Sequence, residues 1–240
     1  MNGRVRFLTV FLFIAFVMKA VGEFVHEVVG HGFFVLLFGG EITRVHISLL
    51  WPYELSSIGW NGNFETWQLP FIYGGGLLVC LIISWVLQTL LFLRIMRDLP
   101  LSSLLFWLSF WTLLNPVGYL ILGGISPFGD VAALIAEGVL TQASSLAIGL
   151  IIFLVAFFSL SKIFRDLLLS VGIIKDHRGL RFSLGLFWLV VPLVTAIALI
   201  GLRQPLFYLP VSFIPSLLAL IIPSIPPLSI RQNDADAKIA

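Results

Sequence analysis

Between Phe7 and Phe38 the chain runs for 32 residues whose only polar side chains are Thr9, Lys19, Glu23, His26, Glu27 and His31. No other feature restricts the fold as much. About 20 apolar residues cross the ~30 Å hydrocarbon core of a bilayer, where every backbone polar group must find its partner within the protein. That requirement selects helices. Written as one helix, this stretch is roughly 48 Å long at about 1.5 Å per residue. It exceeds the membrane core, so it must tilt, project or break. Gly39-Gly40 end it.

Comparable stretches follow at Pro70–Leu93, Leu101–Gly123, Leu146–Leu160, Phe182–Leu202 and Leu206–Leu228. The prediction is an all-α polytopic membrane protein of about six transmembrane helices, a single integral domain over residues 1–240. Composition agrees: 11% of residues are charged, against roughly 25% in soluble domains, and mean hydropathy is +1.07. The lipid bilayer is therefore the first partner. With a net charge of +2 and scattered basic residues, nothing in the chain suits a nucleic acid. Cys80, the single cysteine, lies in the second span, where apolar packing is its expected role.

Basic residues predict the orientation. Arg4 and Arg6 precede the first span, and Arg94 and Arg97 follow the second. Lys162, Arg165, Lys175, Arg178 and Arg181 separate the fourth from the fifth, and Arg231 and Lys238 follow the sixth. The opposite loops carry Arg44 and Arg203. Both termini are thus expected in the cytoplasm of a multi-pass protein. A cleaved secretory signal ending near Ala20 or Gly22 is the competing reading of the N-terminus. Apolar sequence resuming at Phe24 favours a retained span. Lys19 lies four residues before Glu23, a spacing that lets the two neutralise each other on one helix face.

After Gly40 the pattern changes. Val45-His46-Ile47-Ser48-Leu49 alternates with the period of a half-buried strand, and Pro52, Gly59, Asn61 and Gly62 supply turn chemistry before Phe64-Glu65-Thr66-Trp67. Trp51, Tyr53, Trp60 and Trp67 crowd the segment, as aromatics do at membrane interfaces. Residues 41–69 therefore read as a small insert of strands and turns at, or dipping into, the membrane. Gly74-Gly75-Gly76 opens the next span, fitting either close helix packing or backbone approach to a neighbouring strand or peptide. Pro210, Pro215, Pro223 and Pro226-Pro227 predict a kinked last span.

The run His26-Glu27-Val28-Val29-Gly30-His31 carries the chemistry. Ionisable groups within a membrane segment are costly and imply a function. The run is one residue longer than H-E-x-x-H, in which two histidines on one helix face bind zinc and the glutamate acts as base. In an α-helix, positions i and i+4 diverge by roughly 40° and i and i+5 by roughly 140°, so His26 and His31 would face apart. A π-turn, which takes up one extra residue, brings i and i+5 together. Gly30 is where such a distortion is sterically cheapest. A regular helix would instead align Glu23, Glu27 and His31.

Catalytic zinc takes three protein ligands. Candidates for the third are Asp130, Glu137 and His46; His177 sits among charges in a predicted cytoplasmic loop and is set aside. Asp130, after Ser126-Pro127-Phe128-Gly129, suits a helix N-cap as well as a ligand. Asn115, before Pro116 in the third span, suits either a substrate hydrogen bond or a tie between helices.

Taken in order, these features resemble the site-2 protease class of intramembrane zinc metalloproteases. The residues concerned are His26-Glu27 with His31, Leu36-Leu37-Phe38-Gly39-Gly40-Glu41-Ile42, the strand-like insert, Ile72-Tyr73-Gly74-Gly75-Gly76-Leu77-Leu78, and Asn115-Pro116 with Asp130 beyond. The resemblance implies a catalytic core over residues 7–140, the spans of 146–228 being additional. It implies Zn²⁺ held by His26, His31 and Asp130, Glu27 as general base, and Asn115 near the substrate. The insert would then help present an unwound strand of a membrane-embedded protein or peptide substrate. The sequence departs from the class in three respects: the histidine spacing is one longer, Gly129 precedes Asp130, and the charge pattern puts the motif toward the outer face. Two other readings of the residues stay open. One is a polar helix face conducting a proton, ion or small solute. The other is a degenerate protease homologue that binds membrane partners.

Overall fold

The computed structural model describes residues 3–48, 56–93, 95, 98–170, 172, 177–201 and 206–221. Trp51, Pro52, Tyr53, Pro223, Pro226 and Pro227 lie outside the described residues. So do the orientation markers Arg94, Arg97, Lys175, Arg203, Arg231 and Lys238.

The first apolar stretch is helical from end to end but not uniform. It comprises α1 (Gly3–Phe24), a π-turn (Val25–His31) and α2 (Gly32–Leu37). After Gly39, whose φ of +79° lies in the left-handed region, come strands β1 (Glu41–His46) and β2 (Ser57–Asn61). They pair antiparallel, Glu41 opposite Asn61 and His46 opposite Ser57, with an irregularity between Ile42 and Arg44. The strand begins four residues earlier than the alternation at Val45 suggested. Gly59 and Asn61 lie inside β2 instead of in a turn, Gly59 accommodating the side chains of Thr43 and Arg44 across the pair.

Helices α3 (Leu69–Phe92), α4 (Leu99–Ile125), α5 (Gly129–Ala136), α6 (Gln142–Ser170), α7 (His177–Trp188) and α8 (Val190–Gly201) follow. A 3₁₀ segment (Leu206–Phe213) and α9 (Ile214–Ala219) end the described chain. Among the described residues, five helical stretches are long and apolar enough to cross a membrane: Arg6–Leu37, Leu69–Phe92, Leu99–Ile125, Gln142–Ser170 and Arg178–Gly201. The expected sixth span, Leu206–Leu228, is described only to residue 221 and is there a 3₁₀ segment with one short helix. The fourth span is longer than its apolar core, so Lys162 and Arg165 belong to α6 and not to a loop. Lys162 lies 4.1 Å over the Phe92 ring, and Arg165 beside Asp166 at 3.2 Å.

The architecture is an all-helical membrane bundle with one small sheet. Side chains such as Phe13, Ile151 and Leu193, 67%, 63% and 61% exposed, would form forbidding patches in water and are at home against lipid. The core sits around α4, which packs on α1, α3 and α6. Phe11, Phe106, Trp107, Phe110, Phe164 and Phe187 interlock there as stacked and tilted rings. In lipid, apolar burial does not by itself hold helices together, so close packing and interhelical hydrogen bonds matter more. Trp111 Nε1 donates to Ala15 O at 2.8 Å, Ser84 Oγ to Ser109 O at 2.8 Å, Ser145 Oγ to Leu120 O at 2.8 Å, and Trp188 Nε1 to Ser161 Oγ at 2.9 Å.

Candidate metal centre

The extra residue between the histidines is taken up by the π-turn. Within it the Gly32 N–H donates to Glu27 O, five residues back, and His26, Glu27 and His31 are all buried. The turn puts both imidazoles on one side, their ring centroids 4.8 Å apart and nearly perpendicular.

Helix α5 brings the third group. Gly129 opens it with φ +52°, a conformation that disfavours any side chain, and a Cβ there would stand 2.6 Å from the Tyr119 ring. Asp130 is the second residue of the helix, and Phe128, with no side-chain cap, occupies the capping position. The capping role open to Asp130 in the sequence is therefore not taken. Its carboxylate turns to the histidines, with Oδ2 3.0 Å from His26 Nε2 and 3.3 Å from His31 Nε2. The two Nε2 atoms are 3.2 Å apart. Burial works to raise the Asp130 carboxyl's pKa, but the two imidazoles set against the carboxylate outweigh it and hold the group below the usual carboxylate range.

These three atoms form a nearly equilateral triangle, and its size is informative. Ligands about 2.0–2.1 Å from a tetrahedral zinc stand roughly 3.3 Å from one another. His31 Nδ1 lies 2.6 Å from the Ile72 carbonyl. A carbonyl only accepts, so Nδ1 carries the proton and Nε2 presents its lone pair to the triangle. His26 Nδ1 faces Cys80 Sγ at 3.9 Å. A single proton satisfies one edge of a triangle of acceptors, whereas a cation within it satisfies all three corners. His26, His31 and Asp130 thus form a group that could hold a metal ion, and the donor set fits one.

The glycines make room for the centre. A Cβ on Gly76 would lie 2.6 Å from His31 Nε2 and 2.7 Å from His26 Nε2, inside the space the imidazoles enclose. A Cβ on Gly30 would lie 2.8 Å from Gly76 N, and one on Gly75 would lie 2.8 Å from Gly30 O. The glycine run of α3 therefore serves close packing against the π-turn, with Gly76 keeping the cradle clear. Gly30 is needed for that approach as well as for the turn.

The remaining candidates lie elsewhere. His46 ends β1 opposite Ser57 and Glu137 caps the end of α5; neither joins the group, and His177 opens α7. Asn115 Nδ2 reaches Glu23 Oε1 at 3.5 Å, while its Oδ1 is buried without a hydrogen-bond partner among the described residues. Glu23 also meets Lys19 at 3.7 Å, the predicted i,i+4 pair. Lys19, Glu23 and Asn115 edge a cavity of about 820 Å³ whose other walls, from α4, α6, α8 and α9, are largely apolar.

Sequence reasoning missed two participants. Tyr119 stacks on His26 with centroids 5.4 Å apart and planes 19° apart, and is itself backed by Phe128 at 5.1 Å. Its position four residues after Asn115, one helical turn on, was the available signal. Cys80, assigned to packing, is fully buried but lies beside the imidazole of His26.

No family model matches the chain, nor does any curated protein or solved structure.

Proposed function

We propose that the protein is an intramembrane zinc metalloprotease of the site-2 protease type, hydrolysing peptide bonds of membrane-embedded protein or peptide substrates. The observation that carries this reading is the triangle of His26 Nε2, His31 Nε2 and Asp130 Oδ2, with edges of 3.0, 3.2 and 3.3 Å, inside an apolar helical bundle. Zinc held by these residues supplies Lewis acidity toward a carbonyl and acidifies water near neutral pH.

The chain's own residues do the rest. Glu27, next to His26 in the π-turn and buried, is the general base: it takes a proton from the attacking water and returns it to the departing amine nitrogen. The Ile72 carbonyl fixes the tautomer of His31, and Tyr119 fixes the ring plane of His26. Asn115 lies on the substrate side, and the hairpin β1–β2 offers a strand edge to an unwound substrate segment. The apolar walls keep bulk water from the centre. In this reading both termini are cytoplasmic.

One observation favours a second reading. Lys19, Glu23 and Asn115 are linked along the large cavity, as a proton, ion or solute pathway would require. A degenerate homologue that binds membrane partners would keep the triangle without turnover.

Metal analysis of the purified full-length protein separates these readings. Stoichiometric zinc is expected in the wild type and in Glu27→Gln, with loss in His31→Ala. Cleavage of transmembrane model substrates is expected for the wild type and not for Glu27→Gln. A wild-type protein without metal refutes the metalloprotease reading; zinc without cleavage points to the degenerate homologue.

A further inference from the structure

A lysine in the middle of a membrane span calls for a reason, because a charge there costs several kcal/mol unless it is paired. Lys19 is buried, and its ammonium sits 3.7 Å from Glu23 Oε1. Its Nζ also donates to Ser48 O at 3.0 Å, a carbonyl 29 residues away and two residues beyond the end of β1. Ser48 is itself buried, and its N–H donates to Ser56 Oγ, just before β2, at 3.1 Å. Both strands of the hairpin thus end on one node, and that node is bolted to the first span at Lys19.

Helix and strand rise fit this arrangement. From Lys19 to Leu37 the helix advances roughly 27 Å, and β1 with the two residues after it, if extended, reaches at most roughly 23 Å. The chain leaves the top of α2, turns at Gly39, and the strand returns alongside the helix almost to the level of Lys19. On the way it touches the site. A Cβ on Gly32 would stand 2.9 Å from Ile42 Cδ1, and β2 packs on the π-turn that carries the histidines. A two-stranded ribbon is barely stable alone, and free strand edges at membrane depth are costly. Something must hold this one against the helix, and Lys19 makes a charged contact that does so.

Resting on the metalloprotease reading above, we infer that Lys19 is a positioning residue: its hydrogen bond to the Ser48 carbonyl tethers the hairpin at membrane depth, so that the strand edge lies beside the metal centre in register for an extended peptide. Glu23 keeps the ammonium neutralised. Asn115, joined to the same Glu23, ties the tether to α4 one turn before Tyr119 and hence to the ring plane of His26. Lys19 touches neither metal nor peptide; it acts through the strand.

The test uses purified full-length protein and two hydroxamates, acetohydroxamic acid and a hydroxamate carrying an apolar tripeptide arm. The small compound reads the metal alone, and the larger one adds the strand edge. Lys19→Met is expected to keep its metal and its affinity for acetohydroxamic acid. It should bind the tripeptide hydroxamate about tenfold more weakly, the equivalent of one buried charge-assisted hydrogen bond. Lys19→Arg, which still donates and still pairs with Glu23, is expected to restore most of that affinity. Amide hydrogen exchange at Val45 and Ile58 should quicken in Lys19→Met and not in Lys19→Arg. Unchanged tripeptide affinity in Lys19→Met overturns the inference, and so does a parallel loss of metal, which would make Lys19 a general support of the fold. If the wild type binds neither metal nor hydroxamate, the metalloprotease reading fails on its own. The exchange measurement then still decides the tether, and unchanged exchange refutes it.

Discussion

The N-terminal and C-terminal portions of the bundle bury different things. From α1 to α5 the interior holds Lys19, Glu23, His26, Glu27 and His31, with Asp130 against them, and α3 meets the π-turn backbone to backbone through Gly30, Gly75 and Gly76. From α6 onward the described interior holds rings and aliphatic chains, relieved by Ser145, Ser161 and Ser216 and, toward the end of α6, by Arg165 beside Asp166. In both portions most buried polar groups have found partners, as polar groups in lipid favour. In the second portion, Ser145 and Ser161 bond across to neighbouring helices, Ser216 Oγ has no hydrogen-bond partner among the described residues, and the long helix α6 stays regular. In the first, several groups converge on one point, and the backbone departs from the α-helix to let them. At the π-turn, irregularity and ionisable burial occur together because the first serves the second.

The sharpest way to break this comparison is to delete one residue from each portion. Removing Val29, 40% exposed, leaves the spacing His-Glu-x-Gly-His, which an ordinary α-helix brings onto one face. The π-turn absorbs one residue more than an α-helix needs, so its loss leaves both flanks in place. The variant is expected to fold, with a change in melting temperature under about 5 °C, and to retain its metal. Removing Ile151, 63% exposed in the regular helix α6, rotates one flank by about 100°. Ala156, Phe157, Leu160 and Phe164 then leave the core, at roughly 3–5 kcal/mol for each phenylalanine, and no monodisperse protein should be recovered. Equal tolerance of both deletions would remove the distinction between the two portions.

A glycine pair tests it at smaller scale. In Gly76→Ala the new methyl falls 2.6 Å from His31 Nε2, and His31 is held at its other nitrogen by the Ile72 carbonyl. Loss of stoichiometric metal is expected, read by elemental analysis of a protein that is still folded. In Gly185→Ala on α7 the methyl meets Leu220 Cδ2 at 3.0 Å, the end of a flexible side chain. Metal content there should be unchanged and the melting temperature within a few degrees of wild type.

What the sequence discloses follows the range of the interactions involved. Five of the six expected spans are legible because twenty-residue apolar runs leave few alternatives, although the limits of α6 are not, since Lys162 and Arg165 can stay helical at its end, and the proline-rich sixth run is, as far as it is described, a 3₁₀ segment with one short helix. The distortion between His26 and His31 is legible as a condition: at 3.6 residues per turn the two imidazoles share a face only through a π-turn, while a regular helix aligning Glu23, Glu27 and His31 stays open in the sequence. Asp130 is only half legible, for an aspartate after a turn satisfies capping and ligation equally well until its partners are known. The cradle at Gly76, the carbonyl of Ile72 on His31 and the ring of Tyr119 on His26 join positions 41 to 93 residues apart, and no local pattern encodes them. Gly30 shows the limit from another side: the residue is identifiable, but half of its purpose, the approach of Gly76, belongs to the tertiary structure.

The smallest expected effect concerns that aromatic contact. Tyr119 lies flat on His26 and is pressed there by Phe128, so it limits the rotation that would swing Nε2 away from Asp130. Groups that orient a ligating histidine typically change metal affinity by about 10–100-fold when removed. A stack without a hydrogen bond belongs at the lower end. Tyr119→Leu is therefore expected to weaken metal binding about tenfold in a chelator competition titration, and Tyr119→Phe, which keeps the ring, to leave it unchanged. The matching contact in the other portion is Phe187 on Phe164, with centroids 4.5 Å apart. There Phe187→Leu should lower the melting temperature and leave metal affinity as it is. If Tyr119→Leu also changes stability alone, the stack on His26 is packing like its counterpart, and the ring plane of His26 is set by Asp130 and the π-turn without it.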